Sequence, residues 1–132
     1  MATLNTTLTL SSTDATSDTL SITLVDSLTV GAPIQGLSQV IADNTGANNI
    51  VVPATGGTIT YFFCRHTGTT DGSTATTQLV DVEETGDAGF ARLGPGEFML
   101  IPFCHHGGNV GVQFEVQHAS NVQMEYAYWT KA

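Results

Sequence analysis

The sequence predicts an all-β protein, a β-sandwich or jelly roll of about eight to nine antiparallel strands, and three observations predict it. Apolar residues recur with a period of two along most of the chain, Thr alone supplies nine of the first thirty positions, and Gly/Asn/Asp clusters interrupt the pattern at short intervals. Two sheets facing each other are the simplest way to bury one face of each such strand. The 132 residues fall within the size of one domain with one core. A single sandwich over residues 1–132 is therefore expected, with residues 1–12 as an N-terminal arm or edge strand.

Taken in order, Leu4, Thr6, Leu8 and Leu10 alternate with their neighbours, as do Leu20, Ile22 and Leu24, which predicts two half-buried strands. The Ser/Thr/Asp stretch from Ser11 to Asp18 predicts a mobile loop between them. Within 34–42, Leu37, Val40 and Ile41 offer the one place where a helical turn fits. Strands are then expected at 49–53, 58–66, 76–83, 89–93, 97–103, 110–117 and 122–129. Turn clusters separate them, among them Gly56-Gly57, Asp71-Gly72, Gly86-Asp87 and Gly94-Pro95-Gly96, where Gly tolerates positive φ and Pro95 presets its own.

Two of these strands are unusual. Thr60-Tyr61-Phe62-Phe63-Cys64 and Phe98-Met99-Leu100-Ile101-Pro102-Phe103 are apolar on both faces, whereas a two-layer sandwich needs only one. With few helical residues to spare, the expected cover for the second face is another copy of the chain or a partner protein. In the last strand, alternation puts Val122, Met124, Tyr126 and Tyr128 on one face and Gln123, Glu125, Ala127 and Trp129 on the other. Trp129 then serves as a lid on its own core or as an anchor on a neighbour.

Charge narrows the partners. Asp and Glu number 12 against 3 Lys and Arg, a net charge of −9, and the cations Arg65, Arg92 and Lys131 are scattered. Without a basic cluster to displace counterions, neither nucleic acid nor an anionic membrane is an expected partner. The start MATLNTTLTL has neither a basic opening nor an uninterrupted apolar run, so synthesis in a cytoplasm is expected, with Cys64 and Cys104 reduced.

Few motifs carry chemistry. Residues two apart share a strand face, so Cys64 with His66 and Cys104 with His106 would present four soft ligands to a zinc ion if their strands were neighbours. The competing reading is buried thiols and strand-end histidines, since Cys is among the residues most often buried for packing alone. A Cys64–Cys104 disulfide is the third reading. Glu83 and Glu84 are adjacent in a strand and point to opposite faces, so they cannot share a substrate, and no GxSxG elbow occurs. No catalytic residue, cofactor or metal ligand is assigned, and a non-enzymatic protein is expected.

Two resemblances bear on this. The stretch GPGEFMLIPFCHHGGN from Gly94 to Asn109 is similar to the second motif of the cupin family, whose strand carries a metal-binding His into a barrel mouth. It departs from that motif in the spacing of His106 and in lacking an upstream His-x-His with a following Glu, the nearest approach being Cys64-Arg65-His66. That resemblance implies a small metal-dependent enzyme. The order of a Thr-rich β amino terminus, a hairpin reaching 92–102 and a final strand ending Glu125-Tyr126-Ala127-Tyr128-Trp129 resembles the small structural proteins of tailed-bacteriophage virions, mainly over residues 90–129. That second resemblance implies a decoration or cement protein on the capsid surface, bound to the major capsid protein and to itself as a homotrimer. A tail or fibre accessory protein with a receptor- or carbohydrate-binding tip is its variant.

Overall fold

The computed structural model describes residues 1–31, 36–46, 49–53, 59–86, 89–104 and 111–132. Its ten elements are all strands: β1 (Ala2–Ser12), β2 (Leu20–Val30), β3 (Ser38–Ala42), β4 (Ile50–Val52), β5 (Ile59–His66), β6 (Val80–Glu84), β7 (Gly89–Leu93), β8 (Phe98–Cys104), β9 (Val112–Val116) and β10 (Val122–Thr130). They form three antiparallel sheets, a β1-β2 hairpin and two four-stranded sheets ordered β3-β10-β5-β8 and β4-β9-β6-β7. The protein is an all-β sandwich, as its period of two predicts.

The count is ten strands instead of eight to nine because the helical turn expected within 34–42 is not there. Residues 38–42 form β3 and pair with β10 from Ser38↔Tyr126 to Ala42↔Val122. Ala42 is buried and Val40 half-buried, while Leu37 and Ile41 are exposed, so the alternating face won over the helical stripe. Five paired residues satisfy backbone groups and bury Ala42 together, which a single helical turn cannot do. Ile34 lies outside the described residues.

The core lies between the two four-stranded sheets. From β5 come Thr60, Phe62, Cys64 and His66, from β10 Val122, Met124 and Tyr128, from β6 Val80 and Val82, and from β9 Val112, Phe114 and Val116, all buried. Phe62 and Phe114 meet across the sandwich with ring centroids 6.2 Å apart, and Tyr126 stands edge-on to Phe114 at 6.3 Å. Aromatic pairs at these separations add to the burial of their own area. Phe90 of β7 stacks on Phe103 of β8 at 5.8 Å and links the edges of the two sheets.

The β7–β8 connection shows how the sequence sets a register. Glu97 N donates to Gly94 O at 3.0 Å, with Pro95 and then Gly96 between them, and Gly96 takes φ +83°. This is the type II arrangement, in which Pro fixes the first φ and only Gly meets the second cheaply. Glu97 Oε2 closes the turn by accepting from Gly94 N at 2.6 Å.

The hairpin is joined to the sandwich at its base. β1 and β2 pair over their full length, from Ala2↔Val30 to Ser12↔Leu20. Gly31 N donates to Thr130 O at 2.8 Å, Val30 bridges Lys131, and Lys131 N donates to Ile59 O at 2.9 Å. The end of β10 is thereby held between β5 and the end of β2.

Because Phe114 sits at the centre of the aromatic contacts between the sheets, Phe114→Ala is expected to cost about 3–5 kcal/mol. Urea unfolding monitored by far-UV circular dichroism measures it; a loss below ~1 kcal/mol would show that the core does not depend on this ring.

Candidate interaction surface

The pairing registers decide which side chains face away from the core. Opposite one another across the outer face of β3-β10-β5-β8 stand Trp129, Tyr61 and Pro102 in one row, then Ala127, Phe63 and Leu100, then Glu125, Arg65 and Phe98. Two rows of three are apolar. The third holds an ion pair, Arg65 Nε to Glu125 Oε2 at 3.1 Å, beside an exposed Phe98. The second apolar faces of the Thr60–Cys64 and Phe98–Phe103 segments are therefore real and converge on one side of the sandwich.

Part of their cover is the chain's own. In the β1–β2 register, Leu4 faces Leu28, Leu8 faces Leu24 and Leu10 faces Ile22, so the leucines of both strands fall on one face of the hairpin with Thr6 and Asp26 between them, and Thr3, Asn5, Thr7, Val25, Ser27 and Thr29 fall on the other. The apolar face is the covered one near the base, where Val30 is buried and Leu4 and Leu28 are half-buried. Further out the cover opens. Residues Thr6 to Leu8 and Leu24 to Asp26 of the hairpin and Phe98, Leu100 and Pro102 of β8 line a cleft of about 640 Å³. In it Phe98 is 63%, Leu24 59% and Leu100 41% exposed, values far above those of core residues.

This alters two readings from the sequence. The expected cover for the second face is another copy of the chain or a partner protein, but the amino-terminal strands supply some of it; the signal was available in the even-numbered Leu residues of both strands, which an antiparallel hairpin places on one side. The C-terminal alternation holds, with Val122, Met124 and Tyr128 buried inward. Ala127 is nonetheless buried on the outward side and Trp129 half-buried there, next to the point where the hairpin base joins residues 130–132.

The opposite side of the molecule has the reverse character. On the outer face of β4-β9-β6-β7, Asp81 stands across from Glu115 and Glu83 across from Gln113. Arg92 of β7 pairs with Asp81 at 2.6 Å, and Gln113 Nε2 donates to Glu83 Oε2 at 3.0 Å. Partial burial, then the nearby Glu83 and Asp81 carboxylates, push the Glu115 carboxyl above its ordinary value. The outer side of β5 and β8 is thus largely apolar, and that of β6 and β9 carries the carboxylates of Asp81, Glu83 and Glu115.

The Cys/His constellation resolves through register. Cys64 and His66 do share a face, and it is the inward one, where both are fully buried. β5 and β8 are neighbours, but Cys64 pairs with Met99 and Cys104 with Ile59, so the two cysteine backbones lie five residues apart along the strand pair. At about 3.4 Å per residue this separation is roughly 17 Å, beyond the reach of one metal ion and of a disulfide. His106 and the rest of 105–110 lie outside the described residues.

His66 is a structural clasp. Its Nδ1 accepts from Gly68 N at 2.9 Å and its Nε2 donates to Gln78 O at 3.0 Å, which fixes the neutral tautomer and draws the two ends of the β5–β6 connection together. Its backbone holds the β7–β8 turn as well, donating to Glu97 O at 2.9 Å and accepting from Gly96 N at 3.0 Å. Burial pushes Cys64 up to about 12, so it is a thiol and no nucleophile at neutral pH.

No protein-family model, curated protein or solved structure matches the chain, so the functional reading rests on this surface.

Burial lowers the His66 pKa, against smaller opposing effects of the Gln78 hydrogen bond and the Glu97 charge. The unfolded chain then takes up a proton below about pH 6.5 that the folded chain refuses, so this contribution is complete above that pH and is lost as pH falls. Urea midpoints between pH 7.5 and 5.5 are expected to fall for the wild type and to fall less for His66→Gln, which is itself about 1–3 kcal/mol less stable from its lost bonds. Parallel pH profiles for the two proteins would show that His66 titrates freely.

Proposed function

We propose that this chain is a non-enzymatic assembly protein of the virion type, one that packs on other protein chains and decorates an assembled bacteriophage capsid as several copies. The observation that carries the reading is the one-sidedness of the surface: the cleft between hairpin and β8 gathers exposed Leu24, Phe98 and Leu100, while Asp81, Glu83 and Glu115 stand together on the opposite sheet. Contiguous apolar surface of this kind is what protein interfaces are made from.

Strand order supports it. With β3 to β10 counted as one to eight, the sheets run 1-8-3-6 and 2-7-4-5, and we read this as the jelly roll, an architecture that serves viral capsid proteins, lectins and cupins alike. The choice among these rests on the side chains. Cys64 and His66, the nearest approach to an upstream cupin motif, are spent on packing and on loop hydrogen bonds. The apolar side is open. In this reading the acidic face looks outward into solvent and the apolar face toward the shell, and repetition by symmetry multiplies a modest contact.

Sedimentation of purified phage capsids with the added protein tests this. Wild type is expected to co-sediment, a variant with Leu24→Glu and Phe98→Glu to bind at least tenfold more weakly, and Glu115→Gln on the opposite face to bind like wild type. Absence of wild-type binding to any capsid, or undiminished binding by the double variant, would overturn the proposal.

A further inference from the structure

We infer that the cleft between the hairpin and β8 is the seat for the tip of the same hairpin from a second copy of this chain. The inference deepens the assembly reading and rests on its premise that the open apolar surface is covered by protein.

Two uncovered apolar surfaces of the same character lie close together on each copy. One is the cleft, walled by Leu8 and Leu24 on the hairpin and by Phe98, Leu100 and Pro102 on β8. The other is the outer part of the hairpin, where Leu10 and Ile22 face each other across the strands and are 44% and 38% exposed. A foreign partner would have to cover both. Seating the tip of one copy in the cleft of the next covers both with a single contact.

Size agrees. Leu20, Leu10 and Ile22 at the tip are the side chains offered, and a cleft of about 640 Å³ accepts roughly three to four side chains of that bulk at protein packing density. Covering the exposed parts of Leu8, Leu10, Ile22, Leu24, Phe98 and Leu100 removes on the order of 500 Å² per copy. That makes about 1,000 Å² across a reciprocal pair, about the area a biological interface has to clear, and half of that at each contact of a head-to-tail ring. A tip-in-cleft contact joins two different surfaces, so it closes either reciprocally in a pair or head-to-tail in a ring of three.

Charge sets a condition. The chain carries −9, with Asp14 and Asp18 in the turn beyond the tip and Asp26 at the cleft rim. These carboxylates repel one another when copies meet, whereas the apolar contact does not weaken with salt. Association is therefore expected to tighten as ionic strength rises.

Sedimentation velocity of the full chain from 5 to 100 μM is expected to show a closed dimer or trimer, tighter at 0.5 M than at 0.05 M NaCl. The variant Leu10→Glu with Ile22→Glu, both at exposed positions, is expected to associate at least tenfold more weakly with an unchanged far-UV spectrum. Independently of how that variant folds, co-expressed Leu10→Cys and Leu100→Cys chains are expected to form a disulfide between copies on mild oxidation that wild type does not form. A monomer at 100 μM, an oligomer indifferent to the tip substitutions, or no such cross-link would overturn the inference. A monomer that still binds capsids would sink this contact and leave the assembly reading standing; an oligomer that ignores every capsid would do the reverse.

Discussion

Two neighbouring strands of this protein, β5 and β8, are largely apolar on both faces, and the rest of the structure follows from how each face is covered. Inward, Phe62, Cys64, Met124 and Ile101 meet Phe114, Val80 and Val82 of the second sheet, which is a closed problem solved within the chain. Outward, Phe63, Tyr61, Leu100, Pro102 and Trp129 meet no four-stranded sheet among the described residues, only the β1–β2 hairpin. A hairpin two strands wide cannot span four strands, so it covers this face only where its base is tied down.

That shortfall links fold to function. Exposed Phe and Leu side chains cost free energy in water, at roughly 25 cal/mol per Å² of apolar area, and a lone folded copy recovers none of it. The acidic outer face has no such need, because Asp81 is paired with Arg92 and Glu83 with Gln113. Assembly on one side and solvation on the other are two consequences of a single asymmetry. His66 and the Pro95-Gly96 turn keep that asymmetry in register, since they lock together the connections that lead from β5 to β6 and from β7 into β8.

Much of this was legible in the sequence. Alternation located nine strands and sorted the C-terminal residues Val122 to Trp129 onto their faces, and the two-faced strands announced an uncovered surface. What was hidden required a register. β3 was missed because Leu37, Val40 and Ile41 satisfy a helical spacing as well as an extended one, and only pairing with β10 decides between them. The zinc and disulfide readings depended on which residues of β5 and β8 stand opposite, and a chain does not carry that information locally. The cleft brings together residues some ninety positions apart, such as Leu8 and Leu100 on its walls, and no local pattern encodes that.

The account turns on whether the outward face of β8 and the hairpin is covered by protein when the molecule works. Carbene footprinting read residue by residue, at low and at high protein concentration and then on a capsid, measures this directly. Labelling of Leu24, Phe98 and Leu100 is expected to drop as copies meet, while Asp81, Glu83 and Glu115 keep their labelling throughout. Equal labelling of both faces under all three conditions would contradict it.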